Sequence, residues 1–213
     1  MAKEYAVKRL DSSSYDNCIW NEIDSLCIDC YPWNLNGYMP VTKVKLLYTE
    51  LCFHILFKSY EKNPMITYFR MNEPVWKDSC VEFFFNPDPE NDERYLNFEV
   101  NAAGTLLLGI GNGRQNRLYI NDVEPEIFNI RPLFSYEQSY SSNIESWSVE
   151  YCIPFNLIKK YYENFSVASG KKMAANFYKC GDETAYPHYG CWNPIEYSKP
   201  DFHRPEFFGT LII

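Results

Sequence analysis

No run of apolar residues in this chain approaches the ~20 that a membrane-spanning helix needs. The N-terminus, Met1-Ala2-Lys3-Glu4-Tyr5-Ala6-Val7-Lys8, has no apolar core, so no secretory leader is predicted and a cytoplasmic location is expected. Basic clusters are missing too. Twenty Lys and Arg against 28 Asp and Glu leave a formal charge of −8, which argues against nucleic acid or an anionic membrane as partner. Internal repeats, low-complexity stretches and linker-like shifts in composition are absent, so residues 1–213 read as a single domain.

Most signatures of catalysis or metal binding are also absent. The histidines, His54, His188 and His203, include no pair at i, i+4, and no Ser or Cys stands in a nucleophile context. Cys27-Ile28-Asp29-Cys30 is a lone CxxC without a second ligand pair for zinc, and Tyr31-Pro32-Trp33 does not open the helix that a redox motif needs. The remaining cysteines at 18, 52, 80, 152, 180 and 191 are expected to be reduced and mostly buried thiols, Cys52, Cys80 and Cys152 lying within apolar runs. Gly109-Ile110-Gly111-Asn112-Gly113 lacks the spacing and the Lys-Ser/Thr of a phosphate loop and reads as a hairpin turn. Asp88, Glu90 and Asp92 alternate as in a calcium loop, but Glu93 stands where the EF-hand requires glycine, so a solvated loop is expected.

What the chain has in quantity is aromatic surface: 18 Tyr, 15 Phe and 5 Trp make up 18% of it. Aromatics favour strands and also form stacking faces for ligands. Strand follows strand, separated by Gly, Pro, Asn and Asp clusters. Leu51, Phe53, Ile55 and Phe57 alternate with more polar positions, and Val81-Glu82-Phe83-Phe84-Phe85 stops at Asn86-Pro87. Leu96, Phe98 and Val100 oppose Tyr95, Asn97, Glu99 and Asn101 across one strand. Further strands are predicted at 144–153, 173–180 and 206–213, with a short helix at 155–163. Many strands and little helix predict an all-β fold, a two-sheet antiparallel β-sandwich of immunoglobulin-like or jelly-roll-like kind with one or two short helices.

Two segments stand out. In Trp76-Lys77-Asp78-Ser79-Cys80-Val81-Glu82, a tryptophan precedes a strand that carries a glutamate among apolar residues. Burying that carboxylate without partners would cost several kcal/mol, so Glu82 is either solvated or held to hydrogen-bond something. Pro187-His188-Tyr189-Gly190-Cys191-Trp192-Asn193-Pro194 reads as an aromatic loop, from which Trp192 either presents its face or plugs the end of the sandwich.

Trp76 to Phe84, then Tyr95 to Gly104, Trp147 to Phe155, Ala175 to Cys180, His188 to Asn193 and Phe202 to Leu211 together resemble family 9 carbohydrate-binding modules, which belong with the DOMON-type β-sandwiches. The resemblance spans about residues 70–213, and residues 1–69 fit more loosely as opening strands. It implies non-catalytic saccharide binding, with a sugar stacked between Trp76 and Trp192 and Glu82 hydrogen-bonding its rim. Asn97, Glu99, Asn176 and Asn193 are implied as further polar partners. The arginine that such modules carry on the strand after Glu82 is replaced here by Asn97 and Glu99. No cofactor is expected, although the resemblance leaves room for structural calcium; Met65, Met71 and the histidines do not have a spacing that supports haem. The implied partner is an oligosaccharide or glycoconjugate, with a glycosidase encoded separately. Two other readings stay open: a glycoside hydrolase of carbohydrate catabolism using Glu82 and Glu99 as its carboxyl pair, and an interaction domain in which both indoles pack structurally.

Overall fold

The computed structural model describes residues 2–11, 19–136 and 144–213; Cys18 lies outside them. The strands form two packed sheets. The larger runs β1 (Glu4–Ala6), β14 (Gly209–Ile212), β12 (Lys172–Cys180), β6 (Cys80–Asn86), β7 (Tyr95–Asn101), β8 (Leu106–Gly111) and β9 (Leu118–Tyr119), with β13 (Tyr189–Cys191) also on β12. The smaller runs β10 (Arg131–Tyr136), β11 (Ile144–Pro154), β5 (Cys52–Ser59), β4 (Thr42–Tyr48) and β2 (Lys8–Arg9), with β3 (Leu26–Ile28) also on β4. The pairing is antiparallel except at β1–β14 and β2–β4, which are parallel. Those exceptions arise because one extended N-terminal segment laces first onto an edge of the larger sheet and then onto an edge of the smaller.

Alternation sets the inner core. Phe53, Ile55 and Phe57 of β5 meet Val81, Phe83 and Phe85 of β6 and Leu96, Phe98 and Val100 of β7. Phe83 stacks on Phe177 at 4.7 Å between centroids with planes 6° apart, a parallel contact that adds ~0.5–1.5 kcal/mol beyond area burial. Leu51, which the alternation assigned to this face, sits in the β4–β5 turn and is 71% exposed.

The opposite face of the larger sheet is not solvated either. Cys80, Phe84, Tyr95, Leu107 and Tyr178 are covered by Val75, Ile195, Phe202 and Phe208 from the long connections, a second apolar layer. Hence every residue of β6, β7 and β8 is buried. The single α-helix among the described residues, α1 (Phe155–Tyr161), follows Pro154 and buries Phe155, Leu157 and Ile158. It ends two residues before the predicted position 163, because Tyr162 leaves helical geometry at φ −130°. Gly109 and Gly111 belong to β8 and not to a turn. A Cβ on Gly109 would lie 2.7 Å from Asn97 Oδ1, so glycine there lets the Asn97 amide lie against the strand.

Candidate functional site

A cavity of about 460 Å³ opens on the outer face of the larger sheet. Its floor comes from β6, β7 and β12: Glu82, Asn97, Glu99 and Cys180. Trp76 borders it from a single 3₁₀ turn, Val75–Lys77, just before β6. That turn is tied down on both sides. Asp182 N and Glu183 N donate to the carbonyls of Trp76 and Lys77 at 3.2 and 3.0 Å. On the other side, Asp78 accepts from the backbone N–H groups of Thr67 and Tyr68 and from Asn101 Nδ2 at 2.9–3.0 Å. The rest of the wall comes from Tyr119, Tyr189 and Phe202 and from Arg114, Arg117 and His203. Phe202 is held by stacking on Tyr178 at 4.1 Å.

The floor is a chain of polar groups. Arg117 Nε donates to Asn97 Oδ1 at 3.1 Å, Arg117 Nη2 donates to the same oxygen, and Asn97 Nδ2 donates to Glu99 Oε1 at 2.9 Å. The guanidinium lies 4.4 Å from the centre of the Tyr95 ring, a cation–π contact that fixes its plane. Glu99 is the register partner of Glu82 across β6–β7. Cys180 Sγ donates to Glu82 Oε1 at 3.0 Å.

Burial pushes Glu82 well above the usual carboxylate range, and Cys180 and Glu99 push the same way. Burial also raises Glu99 to about 7, against the lowering pull of Asn97 and Arg117. Asp182, at the rim, rises to about 6 for the same reason. His203 is held neutral, its pKa lowered to about 3 by burial and by Arg117 and Arg114; its Nδ1 lies 2.9 Å from the Tyr95 hydroxyl. The floor therefore offers two carboxyls whose ionisation burial disfavours, together with an amide. These groups donate and accept hydrogen bonds beside a half-buried indole, which suits a neutral polyol better than an ion.

Four of the residues named from the sequence, Trp76, Glu82, Asn97 and Glu99, line this cavity. Trp192 does not. Residues 189–191 form β13 against β12, so the next residue turns inward. The Trp192 ring packs edge-on to Phe177 at 5.7 Å and is 3% exposed. It fits because residue 209 is glycine: a Cβ there would meet Trp192 Cζ3 at 2.6 Å. The facing pair of indoles therefore does not form. Asn176 and Asn193 are likewise away from the cavity and bind backbone. Asn176 Nδ2 donates to Asn193 O and Asn176 Oδ1 accepts from Asn193 N at 3.0 and 2.9 Å, while Asn193 Nδ2 donates to Phe207 O at 2.8 Å.

The sequence reading missed Arg114, Arg117, Tyr119, Asp182 and the Asp201–His203 segment. Arg117 brings a guanidinium to the cavity from the β8–β9 connection, whereas β7 carries no arginine. A signal for it existed: an arginine just beyond a glycine-rich strand end can reach back over the strand before it.

The sandwich, with a polar-floored cavity on one sheet face beside an indole, defines the class as a β-sandwich ligand-binding module. Residues 15–213 match the family model for carbohydrate-binding family 9, and the chain belongs to that family. It is similar to a Bacteroides uniformis protein proposed to bind carbohydrate, with a TM-score of 0.79 and 30% identity over 100% of this chain and 99% of that one. Family 9 modules from Caldicellulosiruptor kristjanssonii, solved with glucose and with cellotriose, share the fold at TM-scores of 0.62 and 0.64. Each is 14% identical, over 99% of this chain and 95% and 93% of theirs. An Arthroderma benhamiae protein named "Extracellular protein" is 25% identical over 92% of this chain and 87% of its own length.

Proposed function

We propose that this chain binds the terminal unit of a glucose-type oligosaccharide without cleaving it. The observation that carries the reading is the placement of Trp76 beside the Glu82–Asn97–Glu99 floor of one cavity. A pyranose has apolar C–H faces and a rim of hydroxyls. Trp76 stacks on one face, the rims of Tyr119, Tyr189 and Phe202 supply the other apolar contacts, and the floor hydrogen-bonds the hydroxyls. A stack contributes ~0.5–1.5 kcal/mol beyond buried area, and a hydrogen bond to a charged group ~1.5–3 kcal/mol. At about 460 Å³ the cavity lies in the ~300–1,000 Å³ range of small-molecule sites, with room for a chain end rather than a chain. Family membership and the glucose and cellotriose complexes of the C. kristjanssonii modules support the same ligand class.

A hydrolase reading draws on the register pairing of Glu82 and Glu99. Glycosidase carboxyls flank the scissile bond, whereas side by side on neighbouring strands these two approach a ligand from the same side. A separately encoded glycosidase fits the binding role better. Calorimetric titration with glucose, cellotriose and xylotriose tests the proposal. Binding is expected at ~−8 to −4 kcal/mol, micromolar to millimolar, for at least one glucose-type ligand. Absence of heat with all three, or reducing-sugar release that Glu82→Gln abolishes, would count against it.

A further inference from the structure

Cys80 and Cys180 are register partners on β6 and β12, and Glu82 lies two residues along on the same sheet face. The sulfurs and a Glu82 carboxylate oxygen all lie within 4.8 Å of one another, and all three side chains are buried. Among the described residues, no other three His, Cys, Asp or Glu side chains converge in this way. Glu82 and Cys180 also line the cavity, so the donor set is closed by protein except on the side that faces it.

We propose that Cys80, Glu82 and Cys180 form a binding site for a borderline-soft divalent metal of the Zn²⁺ class, with the fourth coordination position opening into the cavity. The donor set selects the metal. Paired sulfurs with one carboxylate suit zinc, whereas calcium and magnesium take oxygen shells. The size fits as well. At a Zn–S distance of about 2.3 Å a tetrahedral edge is about 3.8 Å, so donors already this close need side-chain shifts of only about one ångström. The strands that carry them are neighbours in the sheet interior, which fixes the donors without a flexible loop. Three protein ligands and one open position are the arrangement in which zinc holds water or an exogenous oxygen. Here that oxygen is water or a ligand hydroxyl. The site does not depend on the sugar-binding reading, and its test uses no sugar.

The full chain, reduced and stripped with chelator, is titrated with Co²⁺ and then Zn²⁺. The expected result is one equivalent of Co²⁺ giving a thiolate-to-cobalt charge-transfer band, with Zn²⁺ displacing it. Cys180→Ser and Cys80→Ser should lose the band. Glu82→Gln should keep it and weaken affinity by about ten-fold or more. Cys52→Ser, on the other sheet where Cys52 Sγ meets His54 Nε2 at 3.1 Å, should leave the band unchanged. Should the serine variants fail to fold, zinc-edge absorption of the loaded wild type is expected to show sulfur neighbours at about 2.3 Å. No band, a band lost in Cys52→Ser and kept in Cys180→Ser, or a zinc shell of nitrogen and oxygen alone would overturn the assignment.

Discussion

Trp76 and Trp192 are both flanked by chain breakers, yet one borders the cavity and the other is core. The difference is what each backbone does next. Trp76 is the middle residue of a 3₁₀ turn pinned outside the sheet, whereas Trp192 follows β13 and donates its N–H to Phe177 O at 2.9 Å. Truncation should therefore separate them. Trp76→Ala should weaken sugar binding by about ten-fold, roughly 1.4 kcal/mol, with little change in melting temperature. Trp192→Ala should cost on the order of 3–5 kcal/mol of stability in urea unfolding, as large-to-small core changes do. Equal effects of both variants on affinity would contradict the placement. Glu99 makes a second prediction. Its folded-state pKa of about 7 lies above the ordinary 4.5 of a glutamate, so its contribution to stability is full below about 4.5 and is lost as pH rises from there through about 7. Glu99→Gln should therefore gain stability relative to wild type as pH rises from about 4.5 to about 7, by on the order of 2–3 kcal/mol in total, with no further gain above that. As pH then crosses about 7 the wild type should bind sugar more tightly as the carboxylate forms, and the variant should show a flat profile. Melting curves from about pH 4.5 to above 7 and sugar titrations on either side of about pH 7 check both halves, and parallel wild-type and variant profiles would reject them.

At the scale of elements, the sheets are joined by a buried ion pair as well as by apolar packing. Glu61, just after β5, meets Lys179 of β12 at 3.0 Å and accepts from Trp147 Nε1 and Ser79 Oγ, each at 2.9 Å. His188 Nε2 lies 2.7 Å from the Lys179 ammonium and its Nδ1 lies 2.8 Å from Tyr186 O. Burial and Lys179 lower the His188 pKa to about 4, so the ring is neutral: Nε2 accepts from Lys179 while Nδ1–H donates to the carbonyl. Burial alone would raise Glu61, but the Lys179 charge and the hydrogen bonds from Trp147 and Lys179 more than offset it. Glu61→Gln strands the lysine charge between the sheets and should cost about 3–5 kcal/mol by urea unfolding. A loss below about 1 kcal/mol would mean the pair is not desolvated as described. The β8 strand offers a different probe. Gly109→Ala puts a methyl 2.7 Å from Asn97 Oδ1, the atom that receives Arg117, and should reduce sugar affinity several-fold through displacement of the amide.

For the whole molecule, what was legible in the sequence follows from the range of the interactions concerned. Period-two alternation is local, so β5, β6, β7, β11 and β12 and the shared face of Glu82, Asn97 and Glu99 could be read from neighbouring residues. So could α1, whose apolar stripe runs only one residue past its end. Residues that reach the cavity through the long connections could not. Arg117 depends on how β8 ends, and Phe202 and His203 depend on a C-terminal connection folding back over the sheet. The alternation on β7 also misleads in one respect: it suggests a wet outer face, and only the second apolar layer shows why Glu82 and Glu99 are buried there. The most direct test of the account is a crystal structure of the chain soaked with cellotriose. Density is expected for a sugar ring against the Trp76 indole, with hydroxyls in hydrogen-bonding reach of Glu82, Asn97 or Glu99. A sugar bound elsewhere on the sandwich, with this cavity filled only by water, would contradict it.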